Sequence, residues 1–139
     1  MTFRRIWKLN LLLFCTIASG CNRSGLNLVP VEGVVKFKGQ PVVGAGVMFV
    51  QAHGLPAMAL TDESGKFKLK TANQKGAQLG DYQVTVSKSK TTAVPQQNGF
   101  PIYKTEHFIP EKYAKLTTSG LTANVGNQSN YFEFELTEK

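Results

Sequence analysis

The chain has 139 residues, with 16 Lys and Arg against 9 Asp and Glu, a net charge of +7 at neutral pH. That length holds one well-packed domain and is too short for two. Its only cysteines are Cys15 and Cys21, which excludes a disulfide, a zinc-thiolate centre or a cysteine nucleophile from everything that follows residue 21.

Arg4, Arg5 and Lys8 precede an apolar stretch from Leu9 to Ala18 that only Asn10 and Thr16 interrupt. Such a stretch is too short to span a bilayer, which takes about 20 apolar residues. Ala18-Ser19-Gly20-Cys21 closes it. Small side chains at 18 to 20 let the backbone lie extended in a peptidase cleft, and Cys21 then offers a thiol. These four residues resemble the lipobox of bacterial lipoprotein signals, with Ala18 where Leu is commonest. The resemblance implies a signal peptide over 1–20, a diacylglycerol on Cys21, and an exported lipoprotein anchored to the membrane on its periplasmic or cell-surface side. Each buried methylene adds about 0.8 kcal/mol, so two or more acyl chains would hold the protein firmly. Removal of the signal takes three cations with it, so much of the basicity belongs to export. With a modest remaining charge and no interleaving of basic and aromatic side chains, nucleic acid is not an expected partner.

Residues 21–28 read as the lipidated cysteine and a short polar tether, and residues 29–139 as the folded domain. From Val31 the period is two: Val31, Gly33, Val35 and Phe37 point one way, Glu32, Val34, Lys36 and Lys38 the other, which predicts a half-buried strand. Gly39-Gln40-Pro41 punctuates it. A glycine-rich approach from Val42 to Gly46 leads to a strand over Val47 to Gln51, so the pair forms a hairpin or a corner between sheets. Ala57 to Thr61 is a third apolar run. Asp62-Glu63-Ser64-Gly65 then makes a tight turn, Asp62 bonding an amide two residues on and Gly65 supplying a positive φ. Lys66 to Lys70 has the cleanest alternation in the chain, and Tyr82 to Ser87 repeats it.

Lys88 to Glu106 is polar, contains Pro95 and Pro101, and reads as the longest connection. Ile109 to Ala114 can form one helical turn opened by Pro110. Leu121 to Val125 and Tyr131 to Leu136 complete about seven strands with scarcely any helix, the pattern of an all-β, single antiparallel β-sandwich. The expected core is Val35, Phe37, Val47, Phe49, Phe67, Leu69, Tyr82, Val84, Val86, Phe132, Phe134 and Leu136.

Four segments carry a resemblance: Val31-Glu32-Gly33-Val34-Val35, Gly39 to Phe49, Thr61-Asp62-Glu63-Ser64-Gly65-Lys66-Phe67-Lys68-Leu69, and Gly80-Asp81-Tyr82-Gln83-Val84-Thr85-Val86. Together they are similar to the carboxypeptidase regulatory-like domain, a transthyretin-like β-sandwich. Ile109 to Tyr113 and Thr118 to Val125 look like segments of small lipid-anchored proteins of this kind in planctomycete-type bacteria. The resemblance implies a transthyretin-like fold and a non-catalytic accessory module. The hydrolase of 5-hydroxyisourate, a transthyretin-like enzyme, ends in Tyr-Arg-Gly-Ser. This chain ends in Phe134 to Lys139 and has no Arg after Arg23, so that motif's cation has no counterpart.

No catalytic residue, metal ligand or cofactor is assigned. His53 and His107 stand in loop-like surroundings without ligand spacing, and Asp62 or Glu106 beside them would not complete a metal site. No Gly-x-Ser-x-Gly elbow appears, and Asp62 and Gly65 belong to the turn rather than to a calcium loop. Lys36, Lys38, Lys66, Lys68 and Lys70 project from polar faces. If their strands are neighbours they form a basic strip, which either faces an anionic partner or protects an edge and is partly neutralised by Glu133 and Glu135. The expected function is that of a lipid-anchored, non-catalytic envelope protein, a binding or structural module whose partners are the membrane and an envelope protein or polysaccharide. The alternative is a carbohydrate-binding module in which Tyr103, Phe108 and Tyr113 stack on sugar rings.

Overall fold

The structure is a computed structural model that describes residues 25–139. The signal read at 1–20 and the lipidation site read at Cys21 lie outside the described residues. Twelve strands follow in chain order: β1 (Val31–Phe37), β2 (Gln40–Pro41), β3 (Gly46–Val50), β4 (Ala57–Leu60), β5 (Lys66–Lys68), β6 (Lys70–Thr71), β7 (Gln74–Lys75), β8 (Gly80–Ser87), β9 (Ser89–Val94), β10 (Ile102–His107), β11 (Leu121–Val125) and β12 (Asn130–Leu136). A 3-10 turn, Glu111–Ala114, and a single-turn helix α1, Leu116–Ser119, precede β11.

Two sheets face one another. The larger is antiparallel and runs β11-β8-β3-β4-β6-β7; in the smaller, β1 lies between β12 on one edge and both β2 and β5 on the other. The fold is therefore the all-β sandwich that the alternation predicts. One pairing departs from the antiparallel expectation: β1 and β12 run parallel, Val31 opposite Asn130 through Phe37 opposite Leu136. Alternation reports which face a side chain takes and is silent about strand direction, so both arrangements leave the same trace. The other additions to the expected set are pieces of two residues and the pair β9 and β10, which form a hairpin of their own where a long connection was expected.

The turns explain how the chain changes sheet. Lys38 (φ 52°) and Gly39 (φ 75°) are both left-handed, the two-residue turn that matches strand twist, and they fold β2 back on β1. The run Lys66 to Lys70 is split: β5 pairs with β1 in the smaller sheet, whereas β6 pairs with β4 in the larger. Leu69 lies between them, its amide donating to the Val31 carbonyl at 2.9 Å.

Between the sheets, Phe49 of β3 meets the rings of Tyr82, Phe132, Phe134 and Phe67 with centroids 5.6 to 6.1 Å apart. Phe49 and Phe67 are fully buried, and each such ring contributes roughly 1.5–3 kcal/mol over exposure. Gly33 makes room for this stack: a Cβ there would stand 2.5 Å from the tip of the Phe67 ring and 2.2 Å from the Phe132 carbonyl. Ten of the twelve expected core residues are buried; Phe37 and Phe132 are half-buried at its rim. Val34, read as outward, is buried on the outer face of β1 between its cross-strand neighbours Lys66 and Glu133. Ile109, Tyr113 and the bridge between Val29 and Ala77 close the ends of the core. The described residues thus enclose a core of their own.

Candidate functional site

The Thr61 to Gly65 segment is held by a set of side-chain to backbone hydrogen bonds. Asp62 Oδ1 accepts from the amides of Ser64 at 2.8 Å and Lys66 at 2.9 Å, the geometry expected of this turn. Gly65 has φ 72°, and a Cβ there would meet the Val35 carbonyl oxygen at 2.6 Å, so its backbone closes directly on β1. Thr61, which the sequence reading left without a role, is buried. Its hydroxyl donates to the Val42 carbonyl at 2.6 Å and accepts from the Ala45 amide at 2.8 Å. One side chain therefore ties the glycine-rich Val42 to Gly46 segment to the end of β4. Its function is to hold the corner.

The lysines do not form an uninterrupted basic strip: Lys66, Lys68 and Lys70 line one recess, but Glu32 and Asp62 stand among them. Lys36 binds Glu133 at 2.6 Å and Lys68 binds Glu32 at 3.0 Å, while Lys38 pairs with Glu138. The hydrogen bond that Lys36 donates to Glu133, together with the carboxylate's charge, raises the Lys36 pKa above the ordinary lysine value. Lys70 belongs to the other sheet, opposite Met58. The outer face of the smaller sheet is thus a mixed-charge surface, on which exposed pairs are worth little each.

His53 and His107 are both exposed. Among the described residues, no three His, Cys, Asp or Glu side chains come together as a metal would need. The proposed aromatic row is not assembled. Tyr103 is 73% exposed on β10, and Phe108 is 46% exposed with the Lys88 ammonium 5.4 Å above its ring. Tyr113 is only 5% exposed. Its hydroxyl donates to the Thr137 carbonyl and accepts from the Thr137 amide, fastening the 3-10 turn to the end of β12. Tyr113 therefore has no face to offer a sugar, a correction to the sequence reading. The irregular stretch 109–120 has no period from which burial could be read.

The surface that sequence reasoning missed is the outer face of the larger sheet. Met48 and Met58 are direct cross-strand partners, and Leu60 stands opposite Gly46, whose missing side chain leaves a hollow. Met58 is 52% and Leu60 73% exposed. With Thr85, Ser87 and Lys70 they line an open recess of about 470 Å³. The signal was present: Ala57 to Leu60 is apolar on both faces, so one apolar face had to point away from the core. A second recess, of about 520 Å³ at the end of the same sheet, is walled by Gln51, Asp81 and Asn124; there the Asn124 amide already binds the Asp81 carboxylate at 2.6 Å.

No family model matches the chain, and no curated protein matches it. Among solved structures, the 9R-lipoxygenase from Cyanothece PCC8801 is similar at 16% identity and a TM-score of 0.36 over 79% of this chain. The match covers 16% of that enzyme, and at this level of likeness it carries no argument about fold or activity. Among the described residues no helix is long and apolar enough to cross a membrane.

Proposed function

We propose that the chain is an exported lipoprotein, anchored through Cys21, whose β-sandwich, of the carboxypeptidase regulatory-like kind, serves the cell envelope as a non-catalytic binding module. The observation that carries the binding role is the recess formed by Met48, Met58 and Leu60. Methionine is a flexible, polarisable side chain that adapts to a partner's shape. An outward apolar hollow on a sheet whose inner face already fills the core suits an apolar protein segment. The carbohydrate-binding alternative needs an aligned aromatic row, and the burial of Tyr113 leaves it Tyr103 and Phe108 alone.

Two measurements test this reading. Cys21→Ser should remain unprocessed and take up no acyl label from a lipid precursor; normal labelling of that variant overturns the anchor. A photo-crosslinking side chain at Met58 should give a discrete protein adduct in the intact envelope, while the same group at the exposed turn residue Glu63 gives none. No adduct at Met58 overturns the binding face.

A further inference from the structure

The hairpin of β9 and β10 leaves the body after Ser87, and from 89 to 107 every residue but the half-buried Val94 is exposed. A lone two-stranded hairpin is marginal in water, so its covering medium is the question. The ladder register assigns the two faces. One carries Ser89, Thr91 and Ala93 opposite His107, Thr105 and Tyr103; the other carries Lys90, Thr92 and Val94 opposite Glu106, Lys104 and Ile102. Neither face is apolar throughout. Both are polar next to the body and apolar in the rungs nearest the turn, where Pro95, Phe100 and Pro101 flank the polar tip Gln96-Gln97-Asn98-Gly99. Phe100 is 82% exposed and Ile102 57%.

A partner laid against the arm's side would match one apolar face and one polar face, as in a half-covered sheet. Here the apolar residues instead form a band across the arm between its polar base and its short polar tip, so the medium that fits it offers apolar cover at one depth along that axis and water on the body's side. A membrane-water interface does so. We propose that the β9-β10 arm is a lipid-contacting finger that enters the interface of an anionic membrane with Tyr103, Ile102 and Phe100 as its apolar anchors.

The charges are placed for this. Lys88, Lys90 and Lys104 against Glu106 give the arm a net positive charge. Lys104 lies two residues behind Ile102 on the same face, about 7 Å along the strand. Interfacial insertion reaches roughly 5–10 Å, so the ammonium stands among the headgroups when Ile102 meets the acyl boundary. Lysine stems also extend along apolar surface with the charge held in water. Gln96, Gln97 and Asn98 at the turn keep the entry shallow, because an amide without a water partner is disfavoured in hydrocarbon. A second copy paired along the arm's edge is opposed by Lys90 and Lys104, since lysines on exposed strands block edge-to-edge association.

The proposal takes its setting from the membrane-anchored reading, but its test does not need the anchor. Residues 25–139 contain neither Cys21 nor the chain's single tryptophan, Trp7. In that fragment, Phe100→Trp becomes a lone reporter, and a cooperative melt confirms that it is folded. With phosphatidylcholine vesicles containing phosphatidylglycerol, its emission should shift to the blue and the protein should float with the lipid. Phosphatidylcholine alone should bind it more weakly. Lys90→Gln and Lys104→Gln should each lower anionic partitioning roughly fivefold. Phe100→Ser with Tyr103→Ser should abolish flotation and leave the melt unchanged. Emission unmoved by either lipid, with no flotation, overturns the proposal. So does a concentration-dependent dimer that Phe100→Ser dissolves, which would assign the arm to a second copy. A failed acyl label at Cys21 with intact vesicle binding would separate the anchor from the arm.

Discussion

The sandwich body and the β9-β10 arm are built from the same local element, an antiparallel ladder, and they differ in what covers it. In the body, every second side chain of β3 and β8 is buried against the smaller sheet, and the large rings gather around Phe49. Among the described residues each buried side-chain polar atom has a hydrogen-bond partner. The arm has six rungs and no layer on either side; its cross-strand side-chain hydrogen bond joins Thr91 to Thr105 at 3.1 Å. The difference teaches that pairing alone aligns strands, whereas stability comes from the layer placed over them. Substitutions in the two regions should therefore behave differently.

The largest effect should come from the centre of the body. Phe49→Ala removes the ring that contacts four others and should cost about 3–5 kcal/mol, as should Phe67→Ala to a similar degree. An unchanged denaturant midpoint would show that these rings do not hold the two sheets together. Thr61→Val keeps the shape of the corner but leaves the Ala45 amide and the Val42 carbonyl without their shared partner. Each buried group left unpaired costs about 1–3 kcal/mol, so a measurable loss is expected in the same melt.

A smaller effect is expected at Tyr82, whose hydroxyl donates to the Gln78 carbonyl at 2.9 Å. Burial raises this phenol's pKa, against the opposing pull of that hydrogen bond. The folded state thus keeps its proton longer than the unfolded chain does. The resulting stability is complete below the ordinary tyrosine value and is lost as pH climbs through the raised one. Tyr82→Phe should cost about 1 kcal/mol at neutral pH and flatten the alkaline fall. An alkaline limb identical in both proteins would show that Tyr82 is not its source. The smallest effect belongs to the arm: replacing 90–106 with a short Asn-Gly turn should leave the body's stability within about 0.5 kcal/mol, whereas a large loss would mean that the arm supports the core.

Much of the fold was legible because a strand with one wet face writes its orientation into every second residue. Val35, Val47, Val84 and Leu136 are buried as that rule requires. The parallel partnership of β1 and β12 was not legible, since it joins segments about a hundred residues apart and alternation carries no direction. The arm escaped notice for a related reason: near the body both its faces are polar, so no contrast marks Ser89 to Thr92 as strand. At the candidate sites, the Asp62 turn was readable from local geometry. Tyr113 was not, because its burial depends on Thr137, which the chain reaches only after two further strands. The Met48, Met58 and Leu60 face required knowing which of two apolar faces the core had taken.

The most direct test is amide hydrogen exchange on residues 25–139 free in solution, resolved by residue. The account predicts that the amides of Val47 to Phe49 and Val84 to Val86 exchange only with global unfolding, while those of Thr91 to Val94 and Ile102 to Thr105 exchange by local opening many times faster. Equal protection in the arm and in β3 would contradict it, showing that the arm is covered by the body and is not free to reach a membrane.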